Sequence, residues 1–511
     1  MKPKICLLVS NDLNHDPRVQ KQAETTAKAK LETLVLAWAT GDNCPPLVEQ
    51  RPGYLVKRGL FNPYMTPKLI GLNFRLVRFN LRILRNFFAH SIRVCIRYLI
   101  AVLRIIFVKI PRKIILVSKI QLKKTKDRYV LTRWIWNKII KVRRRQLASS
   151  VLSKPAVPVS SSRIEPQIQE LHQDSDASQD KFSFKSILIK TISLLNIYKF
   201  YKHYYSSLNQ YLIEEGCKFK PDIVHANDLD TLWAGWQIKK KTGAKLVYDA
   251  HEIWTEQGLP YPKLINWLFK KMEKFLIGKV DHFITVNQSL SDELEKMYHF
   301  PKSTPKSIIY NCPRLIVTEP TKHDRKTIIA LYQGRYSVNR GLEEIAQAGQ
   351  YLNPNIEIHF RGLGDEKVLK NLKLIAQNSG RRNVKFFDPV EMDLLIEEAK
   401  TADIGLVAYI PSNINNKLCL PNKVYEYMMA GLALALSDLP ELKRIVKAFH
   451  NGSTFNPYKP KDIAKQINAL ANRSKLNQMK LKSLAAAKVC NWEVEEKKLI
   501  KIYESLYAQK S

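Results

Sequence analysis

No CxxC pair occurs among the seven cysteines, Cys6, Cys44, Cys95, Cys217, Cys312, Cys419 and Cys490. Neither a zinc site nor a disulfide framework is indicated, and a reduced setting is the simple reading. No run of about 18 uncharged apolar residues is present, which argues against a spanning helix. The apolar run near the start, Ile5 to Val9, is too short for the core of a signal peptide. There is no GxxxxGK[ST] phosphate loop, and "RGLGDE" (Arg361 to Glu366) lacks the third glycine of a dinucleotide fingerprint. Acids are scarce: 46 Asp and Glu face 83 Lys and Arg, a formal net charge of +37. Such an excess implies an anionic partner.

At 511 residues the chain is too long for one core. Its charge is unevenly placed. Lys57 to Arg145 holds 24 Lys and Arg and one acid, Asp127, and so carries most of the excess. Within it Arg75, Arg78, Arg82, Arg85, Arg93, Arg97 and Arg104 fall in an arc of roughly 120° on a helical wheel. The rest of that wheel is apolar. An arginine stripe on a broad apolar face suits a helix lying in an anionic membrane surface. "RYVLTRWIWNKIIKVRRR" repeats the recipe, with Trp134 and Trp136 as interface anchors. Packing into the protein's own core, with the guanidinium groups snorkelling, is the alternative. Nucleic acid is disfavoured, because the aromatic residues do not alternate with the cations as a stacking platform and no DNA-binding motif is found. Residues 151–185 are rich in Ser, Pro, Gln and Asp and read as a flexible linker.

The flanks alternate strand and helix, which indicates α/β architecture with parallel sheets. Lys4 to Val9, "LETLVLAWA", Ile223 to Ala226, "AKLVYDA" and "VDHFITV" read as strands of one doubly wound domain, with a helix over Lys185 to Gly216. After Cys312 the alternation restarts. The expected organisation is a first Rossmann-like domain at 1–55 and 186–312, with a basic helical insert at 56–150 and the linker at 151–185. A second Rossmann-like domain follows at 313–490, and 491–511 forms a final helix. Ligands of such sheets bind at the carboxyl ends of the strands, here in a cleft between the domains.

Two stretches carry chemistry. "QGRYSVNRG" sets Gly334 at a strand end and Gly341 at a helix start, flanked by Arg335 and Arg340. Two guanidinium forks suit a diphosphate, although arginines in a loop also serve as plain surface charge. In "LPNKVYEYMMAGLALALSD", Glu426 lies on a short helix amid Tyr425, Tyr427, Met428 and Met429. An acid in such company needs a partner: the two hydroxyls of a ribose, a core salt bridge, or solvent.

In order and content these segments resemble the retaining glycosyltransferases of family four, which have the two-Rossmann-domain GT-B fold. The resemblance rests on "SNDLNHDPRVQKQA", "KPDIVHANDLDTL", "VYDAHE", "QGRYSVNRG", "RGLGDE", "DPVEMDLLIEEAKTADIGLV", "PNKVYEYMMAGL" and "NWEVEEKKLIKIYESL". It covers about residues 1–55 and 186–508. It implies transfer of a sugar from a nucleoside-diphosphate sugar, with retention of configuration and with neither metal nor cofactor; the "DLD" of Asp228 to Asp230 follows a strand but belongs to the "HAND" landmark. Arg335 and Arg340 match the basic pair on the donor diphosphate, and Glu426 the second glutamate of the family's paired signature. Gly334, Gly364 and Val390 fall in donor-side landmarks. The first glutamate of the pair is Leu418 here. Asn422 and Lys423 of "LPNK" offer amides and side chains in its place. His251 of "DAHE" matches a histidine beside the reacting sugar, with a plain loop histidine as the alternative. His225, Asp228 and Glu252 would shape the acceptor pocket.

The loop after the first strand belongs with these. Asp16 and Pro17 read as a helix start, and Asn11, Asp12 and Asn14 become candidates for acceptor or diphosphate contact, while Arg18 points either to the cleft or to solvent. The implied acceptor is a glycan or lipid-linked acceptor, with residues 65–150 on an anionic membrane surface and the protein peripheral on its cytoplasmic face. A non-catalytic membrane scaffold and a nucleotide-sugar epimerase are the competing readings.

Overall fold

The computed structural model describes residues 2–14, 16–39, 45–60, 206–257, 263–316, 319, 321, 325–378 and 383–509. The arginine-stripe and Trp134/Trp136 helices, the 151–185 linker and the start of the Lys185 helix lie outside the described residues. So does the proposed membrane contact of 65–150.

Two doubly wound α/β sheets form, as the alternation predicts. The first contains β1 (Lys4–Leu8), β2 (Glu32–Ala39), β3 (Val48–Arg51), β4 (Tyr54–Leu60), β5 (Ile223–Asn227), β6 (Lys245–Ala250), β7 (His282–Thr285) and β8 (Lys306–Ile308). Its spatial order is β3-β4-β2-β1-β5-β6-β7-β8, parallel throughout except for the β3–β4 hairpin. The second contains β9 (Ile328–Gln333), β10 (Ile356–Arg361), β11 (Val384–Phe387), β12 (Ile404–Val407), β13 (Ala433–Ser437) and β14 (Gly452–Phe455), all parallel in the order β11-β10-β9-β12-β13-β14. Each sheet is covered on both faces. This is why the central strands are apolar runs rather than alternating ones. Cys6 and Leu8 of β1 join one core with Trp38, Leu246 and Phe283, while Ile5 and Leu7 join another with Val35, Val247 and Trp492. The Trp492–Ala508 helix sets Leu499, Tyr503 and Leu506 into that second core, which belongs to the first sheet.

One boundary moves. The 55/56 division falls inside β4, whose residues pair with β2 as far as Ala39 opposite Leu60. Lys57 and Arg58, counted by sequence with the basic segment, serve the sheet instead. Lys57 pairs with Glu215 at 2.9 Å, and buried Arg58 donates to the Asp12 and Pro46 carbonyls at 2.9 and 2.7 Å. Their charge hid a strand that tertiary pairing reveals. Beyond the insert, the described part of the next helix is Ser206–Phe219. Among the described residues, no helix is long and apolar enough to cross a membrane.

Candidate active site

The carboxyl ends of β1, β5 and β6 carry the first half of the site. Asn227 and Asp249 are register partners on neighbouring strands, so their side chains leave the sheet together. Asp249 is fully buried and collects four neighbours. Arg18 grips it with two hydrogen bonds, 2.9 Å from Nε and 2.8 Å from Nη2, and Gln22 donates at 2.7 Å. His225 Nε2 lies 3.4 Å away and His251 Nε2 3.7 Å. Burial opposes the charge on Asp249, but Arg18 and His251 outweigh it and hold the carboxyl well below its usual range.

Asp228 is held at φ +60° and ψ 169°, a backbone state that a residue with a Cβ seldom adopts. The strain aims its carboxylate at the next loop: Oδ1 accepts from the His251 amide at 3.0 Å, and Oδ2 lies 3.2 Å from His251 Nδ1. Burial lowers the affinity of His251 for a proton, yet Asp228 and Asp249 prevail and raise its pKa well above the usual value. These carboxylates favour the charged imidazole, whose Nε2 also lies 3.2 Å from Asn227 Oδ1. Burial, with Asp228 close by, pushes the carboxyls of Glu252 and Asp230 up to about 7.

The second half stands on the other sheet. Gly334 ends β9 at φ +145°, and a Cβ there would lie 2.7 Å from Lys423 Nζ. Gly341, at φ +63°, packs so closely that a Cβ would meet the Ala408 carbonyl oxygen at 1.9 Å. These glycines let the 334–341 loop fold tightly over the strand ends. Tyr336 bridges to Gly364, fixing the "RGLGDE" loop beside it. Arg340 stacks on Tyr409, 4.2 Å from the ring centre, and burial lowers its pKa. Arg335 is exposed at the mouth of the loop. The Asn422–Met429 helix is seated by Tyr427, whose hydroxyl receives the Gln333 amide at 2.8 Å. One turn earlier, Lys423 Nζ sits 4.2 Å from the centre of the Tyr332 ring. Burial and Arg340 bring its pKa down to about 7, against Glu426. The Glu426 carboxylate has no hydrogen bond or ion pair with the described residues. Burial raises its pKa while Lys423 and Lys21 pull the other way.

The halves are tied together beside the site. The Ile253 amide donates to Asn415 Oδ1 and Asn415 Nδ2 to the Ile253 carbonyl, each at 2.9 Å. Asn287 Nδ2 donates to the Leu418 carbonyl at 3.0 Å, and Glu441 accepts from the Ser289 amide at 2.8 Å. Ile414 and Leu418 pack against the core of the first sheet. The position where the family resemblance calls for a glutamate is thus an apolar seam between the domains.

The sequence-predicted residues divide accordingly. Gly334, Arg335, Arg340, Gly364, Lys423 and Glu426 gather around one loop system. Asn422 opens the helix that carries Lys423, and half-buried Val390 lies in the loop after β11. His251, Asp228 and Glu252 converge on the opposing loop. His225 does not reach the pocket: it has no exposed surface, and its Nδ1 meets Tyr503 Oη at 2.7 Å. It stands behind Asp249. Asn11, Asp12 and Asn14 shape their own loop. Asn11 Oδ1 receives the Leu13 amide at 2.9 Å, Asp12 Oδ1 the Asn14 amide at 3.0 Å, and Asn14 Oδ1 the Arg51 guanidinium at 2.8 Å. Arg18 points neither to the cleft nor to solvent but inward to Asp249. Sequence reasoning missed Asp249, although it stands two residues before His251 at a strand end; it also missed Asn415, whose role depends on the distant Ile253.

Residues 174–312 match the family model described as Glycosyltransferase Family 4, and residues 316–483 match Glycosyl transferases group 1, together more than half of the chain. Sucrose-phosphate synthase from Thermosynechococcus elongatus aligns over 99% of this chain and 100% of its own, with a TM-score of 0.61 at 13% identity. An E. coli structure described as trehalose-6-phosphate bound with UDP-2-fluoro glucose aligns over 99% of each chain, with a TM-score of 0.55 at 10% identity. HepE of Anabaena, in complex with UDP, aligns over 58% of this chain and 82% of its own, with a TM-score of 0.50 at 16% identity. At these identities the likeness speaks for the fold alone. No curated protein matches the chain by sequence.

Proposed function

Because this chain belongs to glycosyltransferase family 4 and has the GT-B fold, we propose that it moves a sugar from a nucleoside-diphosphate sugar to a glycan or lipid-linked acceptor at a membrane, with retention of anomeric configuration. The observation that carries this reading is the set Arg335, Arg340 and Lys423 around one glycine loop, with Glu426 beside them, its carboxylate without a hydrogen bond or ion pair among the described residues. Two ribose hydroxyls would donate to Glu426. The cations would face the diphosphate. As the glycosidic bond breaks, charge grows on the leaving phosphate, and preplaced cations stabilise that state more than the ground state. No metal or other cofactor is needed in this scheme. Both ring nitrogens of His251 are engaged by Asp228, Asn227 and Asp249. It therefore supplies a fixed positive charge at the wall beside the sugar rather than a free acid or base. Without an assigned carboxylate nucleophile, retention implies that the acceptor oxygen enters on the face from which the diphosphate departs. The basic segment 65–150 interrupts the first domain, the acceptor side in this scheme, and its arginine stripe would hold the enzyme on the cytoplasmic face of an anionic membrane.

UDP is the first probe, because HepE was solved with it. Titration calorimetry should show UDP binding that Arg335→Ala and Arg340→Ala each weaken at least about tenfold, the loss of one charge-assisted contact. A panel of nucleoside-diphosphate sugars should then give transfer only when acceptor is present; product without acceptor would indicate an epimerase. Leu418 favours one second reading, a scaffold that binds the nucleotide without turnover. Binding without transfer or hydrolysis across the panel would establish it.

A further inference from the structure

The outer face of the first domain carries a pattern outside the site. The Lys263–Ile277 helix has one acid, Glu273, which is turned fully inward, where Tyr248 and Tyr298 each donate to it at 2.7 Å. Its outward face is then purely cationic around one tryptophan. Trp267 is 47% exposed, and Lys271 stands 5.7 Å from the centre of its ring, with Lys274 exposed on the same stripe. The neighbouring Leu229–Thr242 helix continues the pattern: Trp236 meets Phe275 edge to face at 5.3 Å, and Lys240 and Lys279 lie over those two rings at 5.9 and 5.4 Å. None of Lys240, Lys271, Lys274 and Lys279 has a carboxylate partner among the described residues.

We propose that this tryptophan–lysine face is a membrane-contact surface of the folded domain, taking anionic lipid headgroups between the lysines and seating Trp267 at the level of the headgroups. Lysines on aromatic rings whose free ends reach outward suit a surface that is anionic outside and apolar beneath. The charge argues against cover by the chain's own Lys57–Arg145 segment, which is also strongly basic. The face begins next to the acceptor loop, since Asn266 Nδ2 donates to the Thr255 carbonyl at 3.3 Å and Lys270 pairs with Glu256 at 2.7 Å. A lipid-linked acceptor bound there would enter beside His251. This rests on the membrane-side acceptor proposed above.

The test uses the full chain and vesicles of about 30% phosphatidylglycerol in phosphatidylcholine, a composition that gives an anionic surface. Lys271→Glu/Lys274→Glu/Lys279→Glu should weaken vesicle binding at least about tenfold, since each lysine near such a surface contributes appreciably. Brominated lipid should quench wild-type fluorescence more than that of Trp267→Phe, the difference reporting Trp267 alone. Undiminished binding of the triple variant overturns the proposal. So does equal quenching of wild type and Trp267→Phe in vesicle-bound protein, or an equal loss of binding to polyuridylate. UDP binding and turnover with a water-soluble acceptor should not change in the triple variant, so the surface can fail while the transferase reading stands, and the reverse.

Discussion

In the proposed donor site Lys423 would couple diphosphate binding to pH. Its ammonium lies against the Tyr332 ring and near Arg340, and its pKa falls to about 7. A diphosphate entering between Lys423 and Arg340 restores the favourable charge, so binding draws a proton onto the lysine. If only the protonated form accepts the diphosphate, affinity falls with a slope that approaches tenfold per pH unit well above 7, about fiftyfold in all between pH 7 and 9. Titration calorimetry with a nucleoside-diphosphate sugar checks both parts. The affinities should follow that slope, and at about pH 8 the heat should differ between buffers of unlike ionisation enthalpy by an uptake approaching one proton. Lys423→Arg keeps the charge at all these pH values and should flatten the profile. An affinity that stays constant from pH 7 to 9, with no buffer dependence, would refute the reasoning.

Three further outcomes follow from the packing. Arg18→Met takes the two guanidinium hydrogen bonds from the buried carboxylate of Asp249, leaving it Gln22 and the two histidines, and should cost about 3 kcal/mol in urea denaturation, because breaking a buried ion pair costs far more than breaking a surface pair. Burial raises Glu273 from 4.5 to about 7 despite its two tyrosine donors. Its contribution to stability is therefore full below pH 4.5 and is lost as pH rises to about 7, about 3 kcal/mol in all; Glu273→Gln should remove that part of the slope from denaturation curves across the window. Leu418→Glu, which writes the resembled family's acid into the domain seam, should lower stability by about 1–3 kcal/mol through a poorly partnered carboxylate. Tighter UDP binding with unchanged stability would overturn that account of the seam.

The glycine-and-arginine loop and the helix beside it were legible in sequence for a physical reason. Gly334, Arg335, Arg340 and Gly341 lie within one loop, and Lys423 and Glu426 within one helical turn, so local spacing already brings them together. The facing loop of the first sheet was legible only where a strand end announced it, at Asp228 and His251. Arg18 and Asp249 are far apart in the chain, and only the adjacency of β1, β5 and β6 makes them a pair. His225 looked like a pocket residue because it lies near a strand end; the strand's pleat and the Trp492–Ala508 helix decide that it faces inward. The β3–β4 hairpin was missed because its lysine and arginine read as part of the basic segment, whereas pairing with β2 gives Arg58 buried carbonyls to hold.

By itself the sequence determined the two α/β domains, the basic character of the interruption between the parts of the first, and the glycine loop flanked by Arg335 and Arg340, all of which are set by periodicity, composition and short-range spacing. Only the tertiary structure decided that Asp228 and Asp249 favour the charged form of His251, that burial and Arg340 lower the pKa of Lys423, and that Leu418 packs into a seam. Charge state and burial depend on groups brought together from distant parts of the chain, and no local pattern contains them.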